Sequence, residues 1–96
     1  MAKKAPLDCE YRFGPDIAWR RIGDESVVLN LKTSAYFTLN ETAALLWETL
    51  GEGLPPEKAV ERLCEEFDAE PEAVRRDVEA VLAELVSERL ILRSGA

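Results

Sequence analysis

The feature that most constrains this chain is a single change of hydrophobic period, close to Asn40. Ahead of Asn40, apolar residues alternate over short stretches, the period-two signal of strands. Beyond it they recur every three or four positions, the signal of helices. Strands in one block followed by helices in another describe an α+β fold. At 96 residues the chain has room for one hydrophobic core.

Three strands are expected. The first covers residues 18–22 and ends in a Gly23-Asp24 turn. The second covers 26–31, where Val27, Leu29 and Leu31 share a face. A Lys32-Thr33-Ser34 hairpin leads into the third, residues 35–39, with the β-favouring sequence AYFTL. Burial of Phe37 and Leu39 against the helices turns Tyr36 outward or toward a groove. Asn40 then caps a helix that ends at Gly51 and Gly53, with Ala43, Leu46, Trp47 and Leu50 on one face. Pro55-Pro56 start a second helix, whose buried stripe is Val60, Leu63, Cys64 and Phe67. Pro71 opens a third, the longest, through about Arg89. Leu90-Ile91-Leu92 reads as a terminal strand or as packing against the helices. Residues 1–15, with Pro6, Gly14 and Pro15, read as a flexible N-terminal arm. The folded domain is then 16–96, a winged-helix-like, three-stranded antiparallel sheet followed by a three-helix bundle. Such a meander has two edges, each a row of unpaired N–H and C=O groups.

Several chemistries are disfavoured. The chain has no histidine, the commonest general base and transition-metal ligand. Cys9 and Cys64 are far apart in sequence and lack a histidine partner, so neither a Cys–His nucleophile nor a zinc site is expected. Gly51-Glu52-Gly53 is too short, and wrongly flanked, for a phosphate loop. The expectations are no enzyme activity, no metal and no cofactor. Residues 1–40 carry six Lys/Arg and five Asp/Glu; residues 41–96 carry six and fourteen. A strongly acidic helical half repels nucleic acid. With no apolar run of membrane-spanning length and too few cysteines for a disulfide scaffold, a cytoplasmic setting is expected.

The segment VVLNLKTSAYFTLNETAALLWETL, residues 27–50, resembles the PqqD family of small peptide chaperones, also described as recognition elements for ribosomally synthesised and modified peptides. The resemblance rests on an apolar strand, a polar turn, Tyr36-Phe37-Thr38-Leu39-Asn40 and Trp47. It continues through Gly53, Phe67-Asp68 and Asp77-Val78, covering roughly residues 18–93. It implies a PqqD-like peptide-binding domain over 16–96. There the leader of a precursor peptide adds as a strand beside the third strand, against the third helix, and is handed to a maturation enzyme such as a radical SAM protein or a lasso-peptide protease. Carried over, the docking strand is Ser34, Ala35, Tyr36, Phe37, Thr38 and Leu39. The wall is the first half of the third helix, with Arg75, Val78, Glu79 and Leu82. The turn between the second and third strands departs from members serving pyrroloquinoline quinone synthesis, so no pathway is assigned.

The third helix bears on this independently. Its apolar positions, Val74, Val78, Val81, Leu82, Leu85 and Val86, span about 140° of circumference, more than a one-sided core helix requires. Val74, Val78, Val81 and Leu85 read as core. Leu82 and Val86 lie at one margin, either lining a groove or completing a generously buried helix. Arg75 lies between these two in angle and reads equally as a peptide contact or as an exposed pair with Glu79, worth about 0.2–0.5 kcal/mol. Two other functions stay open: a winged-helix DNA-binding regulator, which Asp77, Glu79, Glu84 and Glu88 disfavour, and a module that binds a folded partner. A free edge also permits a monomer or a dimer.

Overall fold

The computed structural model describes residues 6–94. Its elements are β1 (Tyr11–Phe13), β2 (Ile17–Ile22), β3 (Glu25–Asn30), β4 (Tyr36–Leu39), α1 (Glu41–Gly51), α2 (Pro56–Phe67), α3 (Pro71–Ser87) and β5 (Ile91–Arg93). The expected three-stranded antiparallel meander is β2-β3-β4, and three helices follow it. Asn40 caps α1 as its sequence position requires, its Oδ1 accepting from the Ala43 N–H at 3.0 Å. Pro56 and Pro71 open α2 and α3, where a missing N–H costs nothing. Asp68 leaves α2 in a left-handed conformation, φ 49°, its N–H donating to the Cys64 carbonyl.

The N-terminal segment departs from expectation. Residues 1–5 of the expected arm, like 95–96 at the other end, lie outside the described residues. Residues 6–15 are not a loose arm: β1 pairs antiparallel with β5, from Tyr11 opposite Arg93 to Phe13 opposite Ile91. Leu7 and Tyr11 are buried, and Cys9 packs against the core. The Tyr11 hydroxyl donates to the Pro6 carbonyl at 2.9 Å, and burial pushes its pKa far above the ordinary phenol value. Pairing with β1 makes 91–93 a strand rather than helix packing. Phe13 fits because Gly51 has no side chain: a Cβ there would lie 2.9 Å from the Phe13 ring.

The core lies between the inner face of the sheet and the helices. It is built from Val28 and Leu39, Leu46, Trp47 and Leu50 of α1, Val60 and Leu63 of α2, and Val74, Val78, Leu82 and Leu85 of α3. Phe67, expected in the buried stripe of α2, is exposed at the helix end. In strand β3 the expected shared face of Val27, Leu29 and Leu31 is the outer one. Ser26 and Val28 face inward at 0% exposure, while Val27, Leu29 and Leu31 lie on the face away from the helices. Tyr36 is on that outer face, opposite Leu29.

Candidate functional site

The candidate site is the free long side of β4. In the order β2-β3-β4 this strand is an edge, and no strand pairs with its far side among the described residues. The register identifies which backbone groups are free. Asn30 donates its N–H to the Ala35 carbonyl at 2.8 Å, and the pairing runs from Leu29 opposite Tyr36 to Ser26 opposite Leu39. In an antiparallel ladder, hydrogen-bonded and non-bonded pairs alternate. Phe37 and Leu39 therefore spend their N–H and C=O on β3. Tyr36 and Thr38 aim theirs outward, leaving two donors and two acceptors for a guest backbone.

Beside this edge lies a cavity of about 280 Å³ between β4 and the second half of α3. Phe37 and Leu39, side chains of the inner face, form its β4 wall. Val81, Leu85 and Leu90 form the facing wall, and Glu84 and Glu88 stand at the rim. The cavity thus combines apolar walls with polar groups, Thr38 and Asn40 beside the two carboxylates.

On β4 the residues expected from sequence meet at this edge. Phe37 is half-buried, Leu39 buried, Thr38 exposed and Tyr36 71% exposed. Ser34 and Ala35 belong to the hairpin instead: Ser34 has φ 66°, its N–H donates to the Asn30 carbonyl, and Ala35 is already bonded to Asn30. On α3 the expected wall is displaced. Val78 and Leu82 are 0% exposed and belong to the core. Arg75 pairs with neither a free surface nor Glu79; it grips both carboxylate oxygens of Glu57 in α2, at 2.6 and 2.7 Å. That bond holds its guanidinium pKa above the ordinary value. Glu79 is half-buried and does not line the cavity.

The wall residues that sequence reasoning missed are Val81, Glu84, Leu85 and Glu88. Their spacing of i, i+3, i+4 and i+7 is a helical stripe in its own right. It was hidden because Val81 and Leu85 also continue the core stripe. Val86, at the other margin of that stripe, is exposed and lines no part of the cavity. Among the described residues no group of acidic, cysteine and histidine side chains could hold a metal, and no helix is long and apolar enough to cross a membrane.

A family model described as coenzyme PQQ synthesis protein D (PqqD) matches residues 25–91. Two solved structures are similar along nearly the whole chain. One, of TbiB1 in complex with the TbiA(beta) leader peptide, is 30% identical with a TM-score of 0.78, and the match covers 88% of this chain and 96% of that one. The other, of lasso peptide synthetase B1 complexed with the leader peptide, is 29% identical with a TM-score of 0.79, covering 86% of this chain and 98% of that one. No curated protein matches.

Proposed function

The chain belongs to the PqqD family, and from that premise we propose that it is a non-catalytic adaptor that binds the leader segment of a ribosomal precursor peptide by strand addition to β4. The observation that carries this reading is the coincidence of an unpaired edge with a cavity that has apolar walls. Main-chain bonds to Tyr36 and Thr38 give affinity, and alternate guest side chains entering between Phe37, Leu39, Val81 and Leu85 give specificity. The two similar structures, each a complex with a leader peptide, support the same class of ligand.

The opposite edge is less suited to a guest. By the same alternation, Ile17, Trp19 and Arg21 of β2 aim their backbone groups outward. But Trp19 packs edge-on against Phe13 and Trp47, and Arg21 is bonded to Gly23 and Glu48. The hollows that touch this strand do so at its two ends, at Ile17 and at Arg21, rather than along its length.

Four backbone hydrogen bonds at ~1 kcal/mol each, with one or two anchors at ~1.5–3 kcal/mol, supply several kcal/mol before the entropy of association. Affinity in the micromolar range or somewhat tighter follows. The DNA-binding reading fares worse, because α3 would bring Glu84 and Glu88 toward phosphates. Delivery to a maturation enzyme, a radical SAM protein or a lasso-peptide protease, completes the role, with 16–96 plus the β1 segment acting as the binding unit.

The test is a backbone NMR titration of the isotope-labelled chain with the leader of its precursor, or with a peptide selected on it from a displayed random library. Shifts are expected at Tyr36, Thr38, Val81, Glu84 and Glu88. Shifts confined to β2 or α2 overturn the proposal.

A further inference from the structure

We propose that the bound peptide runs on past β4 into a second subsite, a basin between the β3–β4 hairpin and the C-terminal end of α3, where it buries one large apolar side chain. This rests on the strand-addition reading and extends it beyond the β4 edge.

The basin has a volume of about 530 Å³, larger than the cavity beside β4. Pro15, Ile17 and Leu92 give it an apolar lining, and Asp16, Lys32 and Arg89 stand around it. Glu88 lines both hollows, so the two are neighbours. The direction of α3 aligns them with the edge. At one end Asp77 shares a small hollow with Thr42. Val81 and Glu84 stand across from Phe37 to Asn40. At the far end Glu88 and Arg89 line the basin together with Lys32 and Thr33. The helix therefore runs antiparallel to β4, and a guest strand on this edge points at the basin. From Leu85 to Glu88, the residue that caps α3, the rise is about 4.5 Å, which one or two residues of extended chain cover.

The basin is also built rather than incidental. Gly14 donates its N–H to the Leu90 carbonyl at 3.0 Å, and Leu31 donates to Asp16 at 2.8 Å. A Cβ on Gly14 would sit 2.9 Å from the Arg89 carbonyl oxygen, so the close approach of these walls needs glycine there. Asn30 Oδ1 accepts from the Lys32 and Thr33 N–H groups at 2.9 and 3.2 Å, fixing the hairpin wall. A hollow whose walls are fixed in advance spares the guest the cost of ordering them. Its charged residues, Asp16 and Glu88 against Lys32 and Arg89, balance, and none is in an ion pair among the described residues. The rim therefore selects no charge, and the lining selects an apolar side chain.

A 12-residue peptide selected from a displayed random library on the full chain is the probe. Its affinity is measured by fluorescence anisotropy, alongside versions shortened by four residues at either end. Shortening at one particular end should cost about tenfold or more, as expected for one large apolar anchor. Ile17→Lys should weaken the full peptide by a similar factor and bind that shortened version within about twofold of wild type. Lys32→Trp, an exposed hairpin change that crowds the basin and spares the core, should repeat the pattern if Ile17→Lys folds poorly. Equal affinity of all three peptides, or equal weakening of long and short ones, overturns the subsite while leaving strand addition standing. Failure to select any peptide, or binding indifferent to Thr38→Pro, sinks the strand reading and the subsite together.

Discussion

Phe13 lies flat on Trp47, with ring centroids 4.1 Å apart and planes 9° from parallel. Trp19 meets both rings edge-on at 6.1 and 6.2 Å, so one residue from each of β1, β2 and α1 forms a single aromatic cluster. Offset and edge-to-face pairs of this kind contribute about 0.5–1.5 kcal/mol beyond their buried area. The cluster holds the N-terminal strand on the body and fixes the loop that walls the basin.

Phe13→Ala should therefore destabilise the chain by about 2–4 kcal/mol, since the ring is half-buried and its loss leaves Trp47 uncovered. Urea unfolding followed by tryptophan fluorescence reads this directly. A loss under about 0.5 kcal/mol would mean that residues 11–13 add little to the fold.

Thr38→Pro should weaken peptide binding about tenfold or more while the chain remains folded. The Thr38 N–H faces away from β3, so proline removes a donor only from the guest side. Phe37→Pro would instead remove a bond of the β3–β4 ladder and should lower stability. Anisotropy with a selected peptide, beside circular dichroism of each variant, separates the two. Unchanged affinity in Thr38→Pro would show that the guest does not bond at that position.

How far the sequence could be read depended on how local each cause was. The period switch, the Asn40 cap and the prolines act within a few residues, and the elements they start stand where expected. The partners of β1 and Arg75 are distant in sequence: β5 lies at the opposite end of the chain, and Glu57 is on another helix. No local pattern announces either. The faces of α3 were misjudged because one helix carries two adjacent stripes, and Leu82 went to the core while Val81 went to the cavity.

Strand β3 yields a prediction of opposite sign. Ser26 is fully buried, and its hydroxyl finds no hydrogen-bond partner. A buried unpaired polar group costs about 1–3 kcal/mol relative to one that is satisfied or absent. Ser26→Ala should thus stabilise the chain, by about 0.5–1.5 kcal/mol after the small loss of packing, with peptide affinity unchanged. A lower urea midpoint in the variant would contradict this account of the site.

Val81 and Leu82 are neighbours with separate duties, and their substitution should divide stability from binding. Leu82 is enclosed by the core, so Leu82→Ala should cost about 2–5 kcal/mol through lost burial and the cavity left behind. At temperatures where that variant is still folded, its affinity for peptide should fall little. Val81 lines the cavity beside β4 and is only partly buried. Val81→Ala should cost under about 1.5 kcal/mol in stability. Val81→Lys should remove most peptide binding, because a charged chain would fill the space that the guest side chain enters. Measuring urea midpoints and anisotropy for all three variants gives two independent axes. If Val81→Lys bound the peptide as well as wild type does, the guest could not lie between β4 and α3.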